Sequence, residues 1–181
     1  MRLHRKSSSK GFTLLETMIS LTVLSVGILA LAATLADSLA YMQGSEEDFI
    51  AQQKAEEAAE AIYTAKYSSN ATFAQISNNS GASPQGLFLN GPQPLLQPGP
   101  DGLIGTVADA GQPPEYILEP GPDNILGTAD DVQVPLSNFT RTIAISAVPG
   151  QTNLNQVVIT MIYTAGRFNR TYVLTTYVSA F

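Results

Sequence analysis

A run of 25 residues, Phe12 to Ala36, carries a single charge, Glu16. At about 1.5 Å rise per residue, a helix of this length spans the roughly 30 Å hydrocarbon core of a bilayer with some tilt. Four basic residues (Arg2, Arg5, Lys6 and Lys10) precede the run, and all 15 acids of the chain fall within it or after it. That asymmetry orients the basic end to the cytoplasm and the remainder outward. The helical pattern then continues to about Lys66, which would make one helix from Phe12 of about 80 Å. A chain of 181 residues cannot bury such a helix in its own core. The apolar half is therefore expected in lipid or against other subunits.

Glu16 is the costly residue of the run. A carboxylate at a helix centre in the bilayer costs about 2.5–3.5 kcal/mol on insertion scales, and less near the interface. Either it reaches water at the membrane edge or it meets a cation. An ordinary secretory signal shares the basic start and the apolar core, and Ala30-Leu31-Ala32 would supply its cleavage site. Such a signal, however, has a shorter apolar run, of roughly 7–15 residues, and no carboxylate near its beginning.

Gly11-Phe12-Thr13-Leu14-Leu15-Glu16 closely resembles the type IV prepilin signature, and the likeness continues to Leu31. Within that family the stretch looks most like the PilV-like minor pilins and the I-type minor pseudopilins of type II secretion. The resemblance implies that a prepilin peptidase cuts between Gly11 and Phe12 and N-methylates Phe12. It implies that Glu16 pairs with the N-terminal amine of a neighbouring subunit and sets axial register. It also implies partners: other pilin or pseudopilin subunits, the inner membrane and a pilus assembly platform. One departure is the lack of any proline before Pro84, where many major pilins carry one in the apolar helix. That departure fits a minor subunit.

Composition narrows the chemistry. The chain has no cysteine, no tryptophan and one histidine, His4, in the basic leader. Once the leader is removed, thiol catalysis, Ser-His-Asp chemistry and His-based zinc sites have no residues to run on. No phosphate or nucleotide loop is present, and no enzymatic activity is expected. Cleavage after Gly11 removes four of the nine basic residues and leaves five against 15 acids, a formal balance of −10. Nucleic acid repels such a chain as a whole; local binding would require Arg141, Arg167 and Arg170 to cluster.

The expected organisation is a leader at 1–11, an assembly helix at 12–36, an amphipathic helix at 37–66, a loop region at 67–137 and an antiparallel sheet at 138–181. In the amphipathic part Ala51, Ala55, Ala58 and Ile62 recur at helical spacing, flanked by Phe49 and Ala59. Gly44 would mark a bend or a break into two helices. The sheet rests on segments at about Thr140–Val148, Val157–Thr164 and Thr171–Ser179, rich in Val, Ile, Thr and Tyr. Turns at Pro149-Gly150-Gln151 and Ala165-Gly166-Arg167 make them a meander, one face packed on the helix. Tyr163, Tyr172 and Tyr177 read as core and rim residues. The fold class is α+β and pilin-like.

Residues 67–137 are rich in Ser, Asn, Gly and Pro, and they contain a repeat. Residues 98–109 (PGPDGLIGTVAD) recur at 120–131 (PGPDNILGTADD), an offset of 22 with seven of 12 positions identical. Two readings stand side by side. Asp101, Asp109, Asp123, Asp130 and Asp131 offer hard oxygen ligands, as in the short Asp/Gly-rich calcium loops of bacterial surface proteins, with the second copy the richer. Equally, Pro-Asp-Gly and Pro-Asp-Asn build β-turns with no metal. If calcium binds, it would brace a head that has no disulfide, in the manner of a ligand held only by the folded state.

The expected function is thus a minor type IV pilin that primes assembly or alters adhesion. A minor pseudopilin of a type II secretion system is the alternative. A membrane-anchored or secreted calcium-binding surface protein is a second alternative.

Overall fold

The computed structural model describes residues 11–68, 70–81, 85–166 and 168–181. Residues 1–10 of the expected leader, with His4, lie outside the described residues, as does Arg167. The chain divides into two compact units, Met1–Met42 and Gln43–Phe181.

One helix, α1 (Leu14–Tyr67), runs without interruption through Gly44. Its residues explain this: Ala, Leu, Gln, Glu and Lys dominate, and no proline intervenes. In the first unit its apolar side chains are exposed on every side, from Leu14 at 78% to Leu39 at 62%. A helix apolar all round is built for a surrounding apolar medium.

In the second unit the same helix buries a stripe: Ile50, Ala51, Ala55, Ala58, Ala59, Ile62 and Ala65. Phe49, expected to flank that stripe, is instead 67% exposed. It sits one position before Ile50, rotated about 100° off the buried face. It lines a groove with Asp48, Tyr163, Arg170 and Tyr172.

The stripe shares its core with a four-stranded antiparallel sheet in the order β1-β4-β5-β6. The strands are β1 (Gln93–Pro94), β4 (Phe139–Ala147), β5 (Leu154–Ala165) and β6 (Phe168–Ser179). Period-two alternation aims Phe139, Arg141 and Ile143 of β4 inward, with Val157, Ile159, Met161, Tyr163 and Ala165 of β5. The register matches them: Phe139 opposes Tyr163, Arg141 opposes Met161 and Ile143 opposes Ile159. Phe139 and Tyr163 stack with centroids 5.3 Å apart. The three-strand meander was expected, and each strand proves a few residues longer or shifted at its ends. The arrangement of one long N-terminal helix and antiparallel sheets is α+β and pilin-like.

The loop region holds more order than its composition suggested. A separate hairpin, β2 (Tyr116–Glu119) with β3 (Val132–Pro135), pairs Tyr116 with Pro135 through Glu119 with Val132. The second aspartate copy is the loop of this hairpin. Ile117 packs against the core, while Leu118 is 48% exposed.

Two charge clusters bind these parts together. Glu115 is buried and ties three elements. Its Oε1 accepts from Arg141 Nη2 at 3.1 Å. Its Oε2 lies 2.9 Å from Lys54 Nζ on α1, an ion pair by distance though off the axis of a hydrogen bond. Lys54 also donates to Glu57 at 2.7 Å. Burial opposes the Lys54 charge, but the hydrogen bond to Glu57 and the ion pair with Glu115 outweigh it and raise the ammonium above its ordinary value.

At the start of the head, Asp48 accepts from the Tyr163 hydroxyl at 2.7 Å and from Arg170. Burial, helped by that bond, pushes the Tyr163 phenol up to about 12. The Arg170 guanidinium crosses Gly44, where an added Cβ would lie 3.3 Å from Nη2. Gly44 therefore does not break the helix; it clears the path of an arginine.

Candidate functional site

The signature residues occupy the start of α1. Thr13 is the cap: its Oγ1 accepts from the Glu16 N–H at 3.2 Å, and its carbonyl from the Thr17 N–H at 3.2 Å. Thr-x-x-Glu is the capping-box spacing, so the sequence that places Glu16 also starts the helix beside it. Gly11 and Phe12 precede the cap outside regular structure, Phe12 being 81% exposed. Among the described residues the Glu16 carboxylate has no ion-pair partner.

The polar side chains of the apolar run satisfy themselves. Thr17 donates to the Leu14 carbonyl, Ser20 to Glu16, Thr22 to Met18, Ser25 to Leu21 and Thr34 to Leu31, at 2.6–2.8 Å. Hydroxyls bonded back to the preceding turn cost little in hydrocarbon. Glu16 is thus the one group in the run that still calls for an external partner.

Residues 6–32 match the family model described as the prokaryotic N-terminal methylation motif. The chain carries a prepilin-type N-terminus. Neither a curated protein nor a solved structure matches the chain significantly. The prepilin motif implies pilin or pseudopilin partners and the prepilin peptidase in general. α1 is the one described helix long and apolar enough to cross a membrane, and with the motif it is consistent with membrane anchoring. The match covers the prepilin segment; the head is characterised by its own geometry.

The paired aspartate loops are a duplicated structure as well as a duplicated sequence. In each, a turn closes from Gly102 N–H to the Gly99 carbonyl, or Asn124 to Gly121, both at 3.0 Å. The next aspartate caps that turn: Asp101 Oδ1 accepts from Leu103, and Asp123 Oδ1 from Ile125. Asp109 Oδ2 accepts from Gly105 at 2.6 Å, and Asp131 Oδ2 from Gly127 at 2.7 Å. Gly102 and Asn124 hold φ of 68° and 56°, which Gly and Asn tolerate. The glycines at 99 and 121 are required by close approach. A Cβ there would overlap the Ala108 carbonyl in one copy and the Asp130 carbonyl in the other.

The copies differ in setting. Asp109 is buried, and its Oδ1 accepts from Gly99 at 2.9 Å while Oδ2 takes Gly105 and Thr106. Its acceptor sites are spent on backbone donors. In the second copy the corresponding Asp131 Oδ1 has no hydrogen-bond partner among the described residues. There the Thr128 hydroxyl donates to Asp130 Oδ1 at 2.6 Å and holds that carboxyl below its usual range. The five aspartates do not converge. Among the described residues no group of three or more His, Cys, Asp or Glu is placed to hold a metal ion. In the first copy the donor set does not fit calcium, because protein N–H groups fill the oxygens that an ion would need.

Of the three arginines a nucleic-acid contact would require, Arg167 lies outside the described residues and the other two are already paired. Arg141 is 3% exposed and committed to Glu115, and Arg170 is committed to Asp48. Sequence reasoning missed the Lys54–Glu115–Arg141 cluster. Its members lie in three different segments, and nothing local marks Glu115 as buried.

Proposed function

We propose that this chain is a minor type IV pilin, anchored in the inner membrane and incorporated into a pilus through α1, where it primes assembly or modulates adhesion. The observation that carries this reading is an all-round apolar run at the start of α1 whose hydroxyls are internally bonded and whose single carboxylate is the fifth residue past the expected cut. Prepilin peptidase would cleave between Gly11 and Phe12 and methylate Phe12. The leader would lie in the cytoplasm, with the head first in the periplasm and then on the extracellular filament. Glu16 would pair with the methylated amine of a neighbour, which offsets the cost of burying either charge alone. No catalytic role is assigned to the head.

A minor pseudopilin of a type II secretion system uses the same helix, and the same motif supports it. The mass of the mature N-terminus tests both. A chain beginning at N-methyl-Phe12 is expected. A start near Ala33 would mean secretory cleavage, with the helix discarded, and would refute the reading. Whether the neighbouring genes encode a pilus or a secretion system then separates the two assemblies.

A further inference from the structure

The two aspartate loops share a backbone but not a fate for their apolar pair. In the first copy Leu103 and Ile104 are buried, at 5% and 4% exposure. In the second the equivalent Ile125 and Leu126 stand 59% and 61% exposed. The same contrast holds at the next position. A Cβ on Gly105 would lie 2.8 Å from Ile143 Cδ1, whereas one on Gly127 would meet nothing within 4 Å. The first loop is a plug seated in the head, and the second is the same plug displayed at a hairpin tip.

The seated copy shows what kind of surface receives the plug. The Gly105 carbonyl accepts from the Leu89 N–H at 2.8 Å, and Thr106 bridges Phe88 in antiparallel fashion. The seat is thus the backbone edge of an extended segment, floored by apolar side chains such as Phe88 and Ile143. In the displayed copy no hydrogen bond reaches the Gly127 carbonyl among the described residues. Asp123 and Asp130 are exposed beside the apolar pair, so the rim is anionic.

We infer that the loop 120–131 docks through Ile125 and Leu126 onto a neighbouring subunit other than a second copy of this chain. The partner surface is an extended edge with an apolar floor and a basic rim. A second copy is excluded as receiver because its equivalent seat is already filled by its own 98–109 loop. Its net negative charge also opposes an anionic rim. A bilayer is disfavoured because aspartates flank the apolar pair.

The inference rests on the assembly reading, and the test separates the two. A photo-crosslinking residue replaces Leu126 in the full chain in its own cells, and a second variant of the full chain carries it at Ile19 on α1. Cross-linked products are identified by mass spectrometry to the residue. The Leu126 probe should join a different subunit bearing a prepilin-type N-terminus, at an apolar residue with Lys or Arg beside it. An Ile125→Ser/Leu126→Ser variant should retain the melting temperature of the head and lower incorporation by roughly tenfold, the loss expected when a small apolar anchor is removed. Capture by Ile19 without capture by Leu126, or Leu126 capture of lipid or of the same chain, overturns the docking inference and leaves the assembly reading standing. Failure of both probes to capture a pilin-type subunit overturns both.

Discussion

At the scale of single residues, the two close-approach glycines make opposite demands on the whole. Gly99→Ala forces a Cβ into the Ala108 carbonyl of a loop that is anchored in the head by buried Leu103 and Ile104. Denaturant unfolding should show a loss of about 2–3 kcal/mol, the upper part of the usual range for overpacked interiors. Gly121→Ala creates the same overlap at the buried base of a hairpin loop whose tip is exposed, so opening of that loop alone relieves it. Its global cost should be about 1 kcal/mol or less. Equal losses would mean that the second loop is as integrated as the first.

Tyr163 makes a pH prediction. Its phenol titrates near 12 in the fold, against about 10 when unfolded. The unfolded chain therefore releases this proton first, and stability falls as pH rises above about 10. The loss reaches roughly 1.4 kcal/mol for each pH unit between the two values. Lys54, raised in the fold, acts in the same direction. Comparing wild type with Tyr163→Phe from pH 9 to 11.5 isolates the tyrosine: the variant should show the shallower decline.

At the scale of elements, the loop region is held to the head by charge. Glu115 sits just before β2 and joins it to α1 and β4 through Lys54 and Arg141. Glu115→Ala would leave Arg141 buried and unpaired, for which about 3–5 kcal/mol is the usual cost. Replacing Lys54 with Met should cost less, because Glu115 keeps Arg141. The ordering of those two losses in thermal melts is the check.

The elements also show what a sequence can and cannot declare. The strands β4 to β6 were legible because Thr-rich and Val/Ile-rich positions alternate over nine to 12 residues. The hairpin β2–β3 was not, since Tyr116-Ile117-Leu118 is an unbroken apolar run and each strand is four residues long. The tertiary role of Gly44 was hidden for a different reason. Its cause is an arginine more than a hundred residues away, which no local rule detects. The methylation motif at residues 6–32 was legible because its charge and hydropathy pattern is contiguous in sequence. In the aspartate loops the repeat was visible, but burial of one copy and display of the other depends on tertiary neighbours.

At the scale of the molecule, the assembly reading predicts a separation of anchoring from incorporation. Glu16→Val makes the apolar run more hydrophobic, so membrane fractionation should be unchanged or stronger. Incorporation into filaments should fall at least tenfold if the carboxylate pairs with a neighbour's amine. Unchanged incorporation would mean that Glu16 merely reaches water. The head should also melt at the same temperature in calcium and in chelator, because Asp109 has its oxygens filled by backbone donors and no three acidic groups among the described residues are placed to hold an ion. A rise of several degrees with calcium would restore a metal role to the second loop.

The back-bonded hydroxyls of α1 carry one further consequence. Thr17, Ser20, Thr22, Ser25 and Thr34 keep their protons inside the helix, so these bonds need not be rewired when the surroundings change. Hydrocarbon and the interior of a protein bundle are then nearly interchangeable solvents for this segment. Movement from one to the other is governed by shape and by the fate of a single carboxylate. The helix is in that sense indifferent to its medium everywhere except at its first turn.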